Sequence, residues 1–183
     1  MRDGKWTLFV VCILFTIPLA GCTEQFTEEP EIEAEVLIEV ADPCAIPSEA
    51  LTQSMTIIEV YGEERYFRLT VPNSESGTKL PLVIAFHGGD GASEDFPQQS
   101  QFDNLAEQEK FIMAYAIAED DRTTAEGEWF LNTAATSRDD NDFAEAIVDE
   151  LSKVYCVDQD RLYATGYSLG SMFTYEIACQ LNH

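Results

Sequence analysis

The sequence predicts an α/β fold in which an antiparallel hairpin precedes alternating strands and helices. Residues 54–61 and 65–71 are β-rich, alternate in polarity and flank a turn at Gly62, which is the pattern of a hairpin. Apolar runs typical of buried parallel strands then alternate with helical periodicity: strands at 80–86 and 111–116, with a helix between them at about 99–110. This order of elements predicts a largely parallel sheet with helices packed against it.

The C-terminal third of the chain continues the alternation. A helix that Asp139 or Asp140 can cap is followed by a short buried strand at 162–164 and then by an amphipathic helix. The apolar residues at helical spacing are Phe143, Ile147, Leu151 and Val154 in the first helix, and Met172, Tyr175, Ile177, Ala178 and Leu181 in the second. We expect these residues to form the apolar faces of the two helices.

The composition indicates one folded domain with a strongly acidic surface. The chain has 183 residues, of which 45% are hydrophobic, and this is enough to build a core. Its 34 acidic and 10 basic residues give a formal net charge of -24, which argues against electrostatic binding to nucleic acid or to anionic lipid. The acidity fits either the solvated surface of an exported protein or a source organism adapted to high salt.

The N-terminal residues predict export. Arg2 and Lys5 precede an apolar run over 6–19, which has the length of a signal-peptide core rather than of a membrane span. Residues 19–22 read Leu-Ala-Gly-Cys and resemble a bacterial lipobox. The resemblance implies cleavage before Cys22, a lipid on its thiol, and anchoring to the outer membrane or the cell surface. The alternatives are a plain secretory signal and an uncleaved anchor.

The segment after the lipobox has the composition of a solvated tether. Residues 23–50 contain many glutamates and three prolines, and they contain neither lysine nor arginine. We therefore divide the chain into a signal peptide at 1–21, an acidic tether at 22–50 and an α/β domain at 51–183.

Three of the five cysteines remain once the signal peptide and the lipid attachment are set aside: Cys44, Cys156 and Cys179. An exported protein matures where disulfides persist. Cys156 precedes the strand that leads to Ser168, and Cys179 lies about three turns along the helix that follows. Because strand and helix run antiparallel, both cysteines should reach the same end of the sheet, and we predict a disulfide between them. The alternative is two buried free thiols.

A candidate nucleophile lies between the last predicted strand and the last predicted helix. Residues 166–170 read Gly-Tyr-Ser-Leu-Gly, and a G-x-S-x-G pattern between a strand and a helix predicts a nucleophile elbow that exposes Ser168. The serine of such an elbow has a strained backbone conformation. Side chains at Gly166 or Gly170 would collide with the neighbouring strand or helix, so both positions require glycine.

The donors for an oxyanion hole can also be assigned. In α/β-hydrolases, whose elbow this motif resembles, one donor is the backbone N–H of the residue after the nucleophile, here Leu169, and the other lies in the loop after the third strand. That loop begins His87-Gly88-Gly89, and glycine lets the backbone approach a substrate carbonyl. We assign the second donor to Gly88 or Gly89, in preference to Asp90, and we assign His87 a structural role in orienting the loop.

The general base is the missing part of the predicted site. A serine needs a base to accept its proton, and in this fold the acid and the histidine follow the serine in sequence. His183 lies at the end of the predicted helix, about 20 Å from Ser168, which is too far to act as the base. We therefore expect the acid, the histidine and the last strands of the sheet beyond residue 183, and we expect residues 1–183 alone to be inactive.

The same segments resemble the polyhydroxybutyrate depolymerase and feruloyl esterase family of α/β-hydrolases. The segments that carry the resemblance are 81–89, 139–143, 157–172 and 178–179. The resemblance implies a secreted serine esterase that acts on a polyester, or on aromatic acids esterified to plant polysaccharide, without metal or cofactor. Members commonly have a polar residue and then two glycines after the serine. This chain has Leu169, Gly170 and Ser171 there, and the departure concerns the substrate rather than the fold.

The predicted function is therefore a lipid-anchored serine esterase that hydrolyses carboxylic esters of the polyester or feruloyl-polysaccharide type and contacts the membrane only through its lipid. Two alternatives remain open at this point, namely a serine peptidase of the same fold and a surface binding module without catalysis. Trp129, in a loop close to the strand ends, forms either a wall of the substrate pocket or part of the core.

Overall fold

The computed structural model describes residues 41–89, 93–118, 129, 131 and 139–180. The predicted signal peptide, the predicted lipid attachment site Cys22, Asp90 and His183 lie outside these residues. None of the helices in the described part of the chain has the length and hydrophobicity that a membrane span requires.

In the described part of the chain, five strands form one mixed sheet in the order β1-β2-β4-β3-β5. The strands are β1 (Leu51–Val60), β2 (Glu63–Val71), β3 (Leu80–Phe86), β4 (Ile112–Ala116) and β5 (Val157–Gly166). Strand β2 pairs antiparallel with both β1 and β4, whereas β3 pairs parallel with both β4 and β5. The predicted hairpin and the predicted parallel strands are thus confirmed.

Among the residues described, four α-helices flank the sheet: α1 (Phe96–Ser100), α2 (Phe102–Glu109), α3 (Asp139–Val154) and α4 (Leu169–Gln180). The helix predicted at about 99–110 is found as α2, but it begins later than expected because Gln99 and Ser100 belong to the separate helix α1. Gln101 between them has a φ of 58°, in the left-handed region, so the helical path is interrupted there.

Two apolar clusters lie on opposite faces of the sheet. Ile84 and Phe86 of β3 belong to the larger cluster, which contains residues of α3 and α4. Ala85 belongs to the smaller cluster, which contains Phe96 of α1 and Ala106 of α2. The alternation follows from the two-residue period of a strand. Helices therefore cover both faces of the sheet, as the α/β prediction requires.

The last strand and the last helix differ from the prediction in their burial. Strand β5 is ten residues long and mostly exposed, with Leu162 and Tyr163 exposed by 40% and 55%. Within the described residues it pairs with β3 alone and is an edge strand, and it is longer and more exposed than the short buried strand expected. On α4, Phe173 and Ile177 are buried, whereas Tyr175 is 75% exposed.

A buried ion pair joins the hairpin to α3. Arg65 of β2 donates from Nη2 to Oδ1 of Asp140 over 2.6 Å, and the two side chains are 3% and 2% exposed. The guanidinium carbon lies 4.1 Å from the centroid of the Phe143 ring, which allows a cation–π interaction. Asp140, expected as a helix cap, thus accepts a charged hydrogen bond from another element.

Residues 41–50 are part of the folded domain, so the last part of the predicted tether is wrong. Pro43–Ala45 forms a 3-10 helix, and the backbone N–H of Gly77 donates to the carbonyl of Cys44 over 2.7 Å. Further along, the Ser48 hydroxyl donates to the carbonyl of Pro72 over 2.8 Å. The segment is polar, as a tether would be, but its polar groups form hydrogen bonds with the loop before β3.

The predicted disulfide between Cys156 and Cys179 is also wrong. Cys156 is bonded to Cys44, with 4.4 Å between the Cα atoms, and Cys179 is a free and exposed thiol. The prediction compared only the distances that the strand and the helix span, and it did not consider the direction in which each cysteine side chain points. Cys179 follows the buried Ile177 by two residues, or about 200° around the helix, and therefore faces away from the sheet.

Candidate active site

Ser168 occupies the junction between β5 and α4, as a nucleophile elbow requires. Its φ is 51°, in the left-handed region, and the residue is exposed. The Ser168 carbonyl accepts hydrogen bonds from the N–H groups of Ser171 at 3.0 Å and Met172 at 3.3 Å, which starts the helix. The chain therefore reverses direction at the serine and presents its side chain at the end of the sheet where β3 also ends.

Two glycines allow this reversal. A Cβ atom at Gly166 would lie 2.3 Å from the carbonyl oxygen of Gly170. A Cβ atom at Gly170 would lie 2.2 Å from the carbonyl oxygen of Phe86 and 2.4 Å from that of His87. The collisions predicted for both positions are thus present, and they involve backbone atoms that cannot rotate away. The close contact also brings the start of α4 against the end of β3.

We expect Gly170→Ala to lower the free energy of unfolding by about 3 kcal/mol, because the added methyl group overlaps backbone on the neighbouring segment. The direction of this change is informative, because inside a helix alanine is ordinarily more stabilising than glycine by about 1 kcal/mol. Urea unfolding of the variant measures the change.

Met172→Ala, at a position of the same helix whose side chain is 60% exposed, is the matched control and should change the free energy of unfolding by less than about 0.5 kcal/mol. A Gly170→Ala protein as stable as the wild type would contradict the close packing of α4 against the end of β3.

The glycine loop after β3 lies directly beside the elbow. A Cβ atom at Gly88 would lie 3.5 Å from Cβ of Ser168 and 3.2 Å from Cδ1 of Tyr167. One at Gly89 would lie 3.8 Å from Cδ2 of Leu169. The structure therefore brings together Ser168, the residue after it and the two glycines that the sequence indicated as donors.

The start of α4 places the backbone N–H of Leu169 next to Ser168. Leu169 is the first residue of the helix, and the first N–H groups of a helix have no acceptor within it. The peptide dipoles of the helix add a partial positive charge at its N-terminus. A negative charge that develops next to Ser168 would thus be stabilised by the position of α4 as well as by the N–H group.

His87 is fully engaged beneath the loop. It is 1% exposed, its Nε2 accepts the backbone N–H of Ala118 over 3.0 Å, and its Nδ1 lies 2.5 Å from the carbonyl oxygen of Gly88. Because Nε2 accepts, Nδ1 carries the proton and donates to Gly88. Burial lowers the pKa of His87 and outweighs the raising effects of the Gly88 bond and of the Asp140 carboxylate, which favours the neutral ring.

This engagement separates His87 from the chemistry of Ser168. Both ring nitrogens bind backbone groups, so neither is available to accept the proton of the serine hydroxyl. The contacts fit the structural role that the sequence suggested for His87. The 41–89, 93–118 and 139–180 segments contain no other histidine that could serve as the base.

Trp129 is packed in the core, which is one of the two positions that the sequence left open for it. The side chain is 3% exposed, and its indole stacks on Phe173 of α4 with 5.2 Å between ring centroids and 9° between planes. The indole also meets Phe86 edge-on at 5.0 Å. From sequence alone, a tryptophan in a loop can line a pocket or pack in the core. Its burial here depends on Phe86 and Phe173, which are distant in sequence.

The exposed face of α4 carries two of the residues that the sequence analysis placed on the apolar face of this helix. Met172 and Tyr175 are 60% and 75% exposed. Together with Leu131 they line an open cavity of about 650 Å³ that begins at Ser171, one turn after Ser168. Counting residues from Gly170, which must face the sheet, would have placed both side chains on the outer side of the helix.

Three named proteins that are similar to this chain in sequence have an esterase activity in their names. No family model matches the chain. It is 31% identical over 142 residues to the predicted esterase NocK of Nocardia uniformis subsp. tsuyamanensis, covering 73% of this chain and 39% of that protein. It is 30% identical over 112 residues to feruloyl esterase B of Piromyces equi, and the match covers 60% of this chain and 20% of that protein. A bifunctional acetylxylan esterase/xylanase of Neocallimastix patriciarum is 28% identical over 101 residues, covering 55% and 14%.

The chain thus spans between about a seventh and two fifths of the length of these relatives.

Solved structures add evidence on the fold. An S-formylglutathione hydrolase from Agrobacterium tumefaciens matches with a TM-score of 0.56 at 13% identity, covering 74% of this chain and 57% of that one. A ferulic acid esterase matches with a TM-score of 0.52 at 16% identity, covering 73% and 55%. The predicted α/β-hydrolase fold and the resemblance to feruloyl esterases are confirmed.

Proposed function

We propose that this chain, which has the α/β-hydrolase fold and is similar in sequence to feruloyl and acetylxylan esterases, carries the nucleophile of a serine carboxylic ester hydrolase. The observation that carries the proposal is the left-handed backbone of Ser168 at an exposed junction of strand and helix, with Gly88 beside it. The esterase relatives support the same reaction class.

The reaction follows from this geometry. The Ser168 hydroxyl oxygen attacks the ester carbonyl carbon while a base takes the hydroxyl proton. Backbone N–H groups of Leu169 and of Gly88 or Gly89 stabilise the tetrahedral oxyanion. Collapse of this intermediate transfers the proton to the departing alcohol and leaves an acyl-serine, which water hydrolyses to the free acid.

The base is a histidine other than His87, oriented by a carboxylate. We place both in sequence after Ser168, in the order that this fold uses. Each step is a proton transfer or an acyl transfer between oxygen atoms, so the proposed reaction requires neither a metal nor an organic cofactor.

The substrate we propose is an ester of an aromatic or short acyl acid on a polysaccharide, with a polyester as the related choice. The relatives are named for feruloyl and acetylxylan esters. Exposed Met172 and Tyr175 provide apolar surface within two turns of Ser168.

We also propose that the protein is exported and anchored by a lipid on Cys22, with residues 1–21 removed as the signal peptide. The disulfide between Cys44 and Cys156 fits an oxidising compartment. The net charge of -24 leaves the lipid as the means of membrane attachment and disfavours nucleic acid as a partner.

The test of the enzymatic proposal is labelling by a fluorophosphonate, which forms a covalent bond with an activated serine. The full-length natural protein should hydrolyse p-nitrophenyl acetate and methyl ferulate, and the label should be found by mass spectrometry on Ser168. Labelling at another serine, or hydrolysis that survives complete labelling of Ser168, would refute the assignment. Denatured protein is the control for non-specific reaction.

A further inference from the structure

A buried hydrogen bond links Trp129 to the glycine loop beside the nucleophile. The indole Nε1–H donates to the carbonyl oxygen of His87 over 2.8 Å. Trp129 and His87 are 3% and 1% exposed, so water does not compete for this bond. The indole N–H thus has a specific acceptor in the segment that contains the proposed oxyanion donor.

The bond fixes more than the carbonyl that accepts it. The His87 carbonyl and the Gly88 N–H belong to one planar peptide unit. In a trans unit the two groups point to opposite sides, and none of the described peptide bonds is cis. When Trp129 holds the carbonyl, the Gly88 N–H must point away from the indole. Glycine has wide backbone freedom, so a glycine loop without this constraint could rotate the peptide.

The indole is itself held by both halves of the site. It stacks on Phe173, which lies five residues after Ser168 on α4, with ring centroids 5.2 Å apart. It meets Phe86, the residue before His87, edge-on at 5.0 Å, and Phe86 and Phe173 are in edge contact at 5.0 Å. Trp129 therefore relates the position of the glycine loop to that of the helix that carries the Leu169 N–H.

We propose that Trp129 is a positioning residue for the oxyanion hole, because it fixes the His87–Gly88 peptide and so aims the Gly88 N–H at the oxyanion. This inference rests on the proposed ester hydrolysis at Ser168. It predicts that loss of the indole N–H lowers kcat and leaves KM nearly unchanged, since the oxyanion exists only in the transition state and the intermediates.

The test replaces the indole N–H in the full-length natural protein. Trp129→Phe keeps an aromatic ring against Phe173 and removes the donor. A second variant carries benzothienylalanine at position 129, an isostere of tryptophan with sulfur in place of N–H, so that a folding defect cannot account for the result. Active sites are counted with the fluorophosphonate, and kcat is expressed per titrated site.

We expect both variants to lose about tenfold in kcat, which is less than the effect of deleting an oxyanion donor outright because the Gly88 N–H is misaimed rather than removed. The inhibition constant of a trifluoromethyl ketone, which forms a tetrahedral oxyanion on the serine, should rise by a similar factor. Tyr115→Phe is the matched control. This substitution removes a hydroxyl that donates to Oδ1 of Asp103 over 3.0 Å. Tyr115 belongs to the apolar cluster on the other face of the sheet, so the substitution should leave kcat unchanged.

A kcat within twofold of the wild type in both Trp129 variants overturns the positioning role, and so does an equal loss in Tyr115→Phe. A wild-type protein that is not labelled at Ser168 overturns the proposed hydrolysis, and this inference with it. The two failures are thus distinguished by whether the wild-type protein is labelled.

Discussion

Replacement of Ser168 by alanine is expected to lower kcat/KM for ester hydrolysis by about 10⁴-fold or more, because the covalent route is lost entirely. The residual rate would come from binding and from the oxyanion donors alone. The measurement is hydrolysis of p-nitrophenyl butyrate by the full-length natural protein. The fold of the variant should be intact, since Ser168 is exposed and alanine is smaller than serine.

The matched control is Ser152→Ala on α3, a half-buried serine whose hydroxyl donates to the carbonyl of Val148 over 2.6 Å. It is outside the site and should keep the wild-type kcat/KM. If Ser168→Ala retained more than about a tenth of the wild-type activity, Ser168 would not be the nucleophile, because a lost nucleophile costs orders of magnitude in rate.

Removal of the disulfide by the double substitution Cys44→Ala and Cys156→Ala is expected to lower the free energy of unfolding by about 4 to 5 kcal/mol. The bond closes a loop with a sequence separation of 112 residues, and a long loop in the unfolded chain loses more conformational entropy when it is closed. Urea unfolding under non-reducing conditions measures the change, with a second measurement in reducing agent on the wild type.

Cys179→Ala is the control for this experiment, because Cys179 is exposed and free. It should change the free energy of unfolding by less than about 0.5 kcal/mol. Alkylation of the denatured, unreduced protein should modify Cys179 and spare Cys44 and Cys156. Protection of Cys179 from alkylation, with Cys44 modified, would contradict the observed pairing.

The elements that the sequence predicts well are those fixed by short-range rules. The hairpin followed from alternation around Gly62, and β3 from a continuous apolar run. The elbow followed from the need for a side-chain-free Gly166 and Gly170 around a left-handed Ser168. In each case a few neighbouring residues contain the whole steric argument, so the prediction did not depend on the rest of the chain.

The predictions that failed or were left open depended on partners distant in sequence or on the phase of a helix. Cys44 reaches Cys156 only because residues 41–50 fold against the loop before β3, and nothing in their composition indicates it. Cys179 was placed by rise along the helix without regard to direction. Trp129 is buried because Phe86 and Phe173, which are 87 residues apart (86 to 173), meet it from two elements.

The position of the disulfide determines how the domain would bear a mechanical load. Strand β1 is at one edge of the sheet, and its ladder of hydrogen bonds to β2 would open one pair at a time if the chain were pulled from its N-terminal side. Cys44 precedes β1, so such a pull passes through the covalent bond to Cys156 at the start of β5. Tension is thereby diverted from β1 to the start of β5, a strand that lies at the opposite edge of the described sheet and pairs parallel with β3.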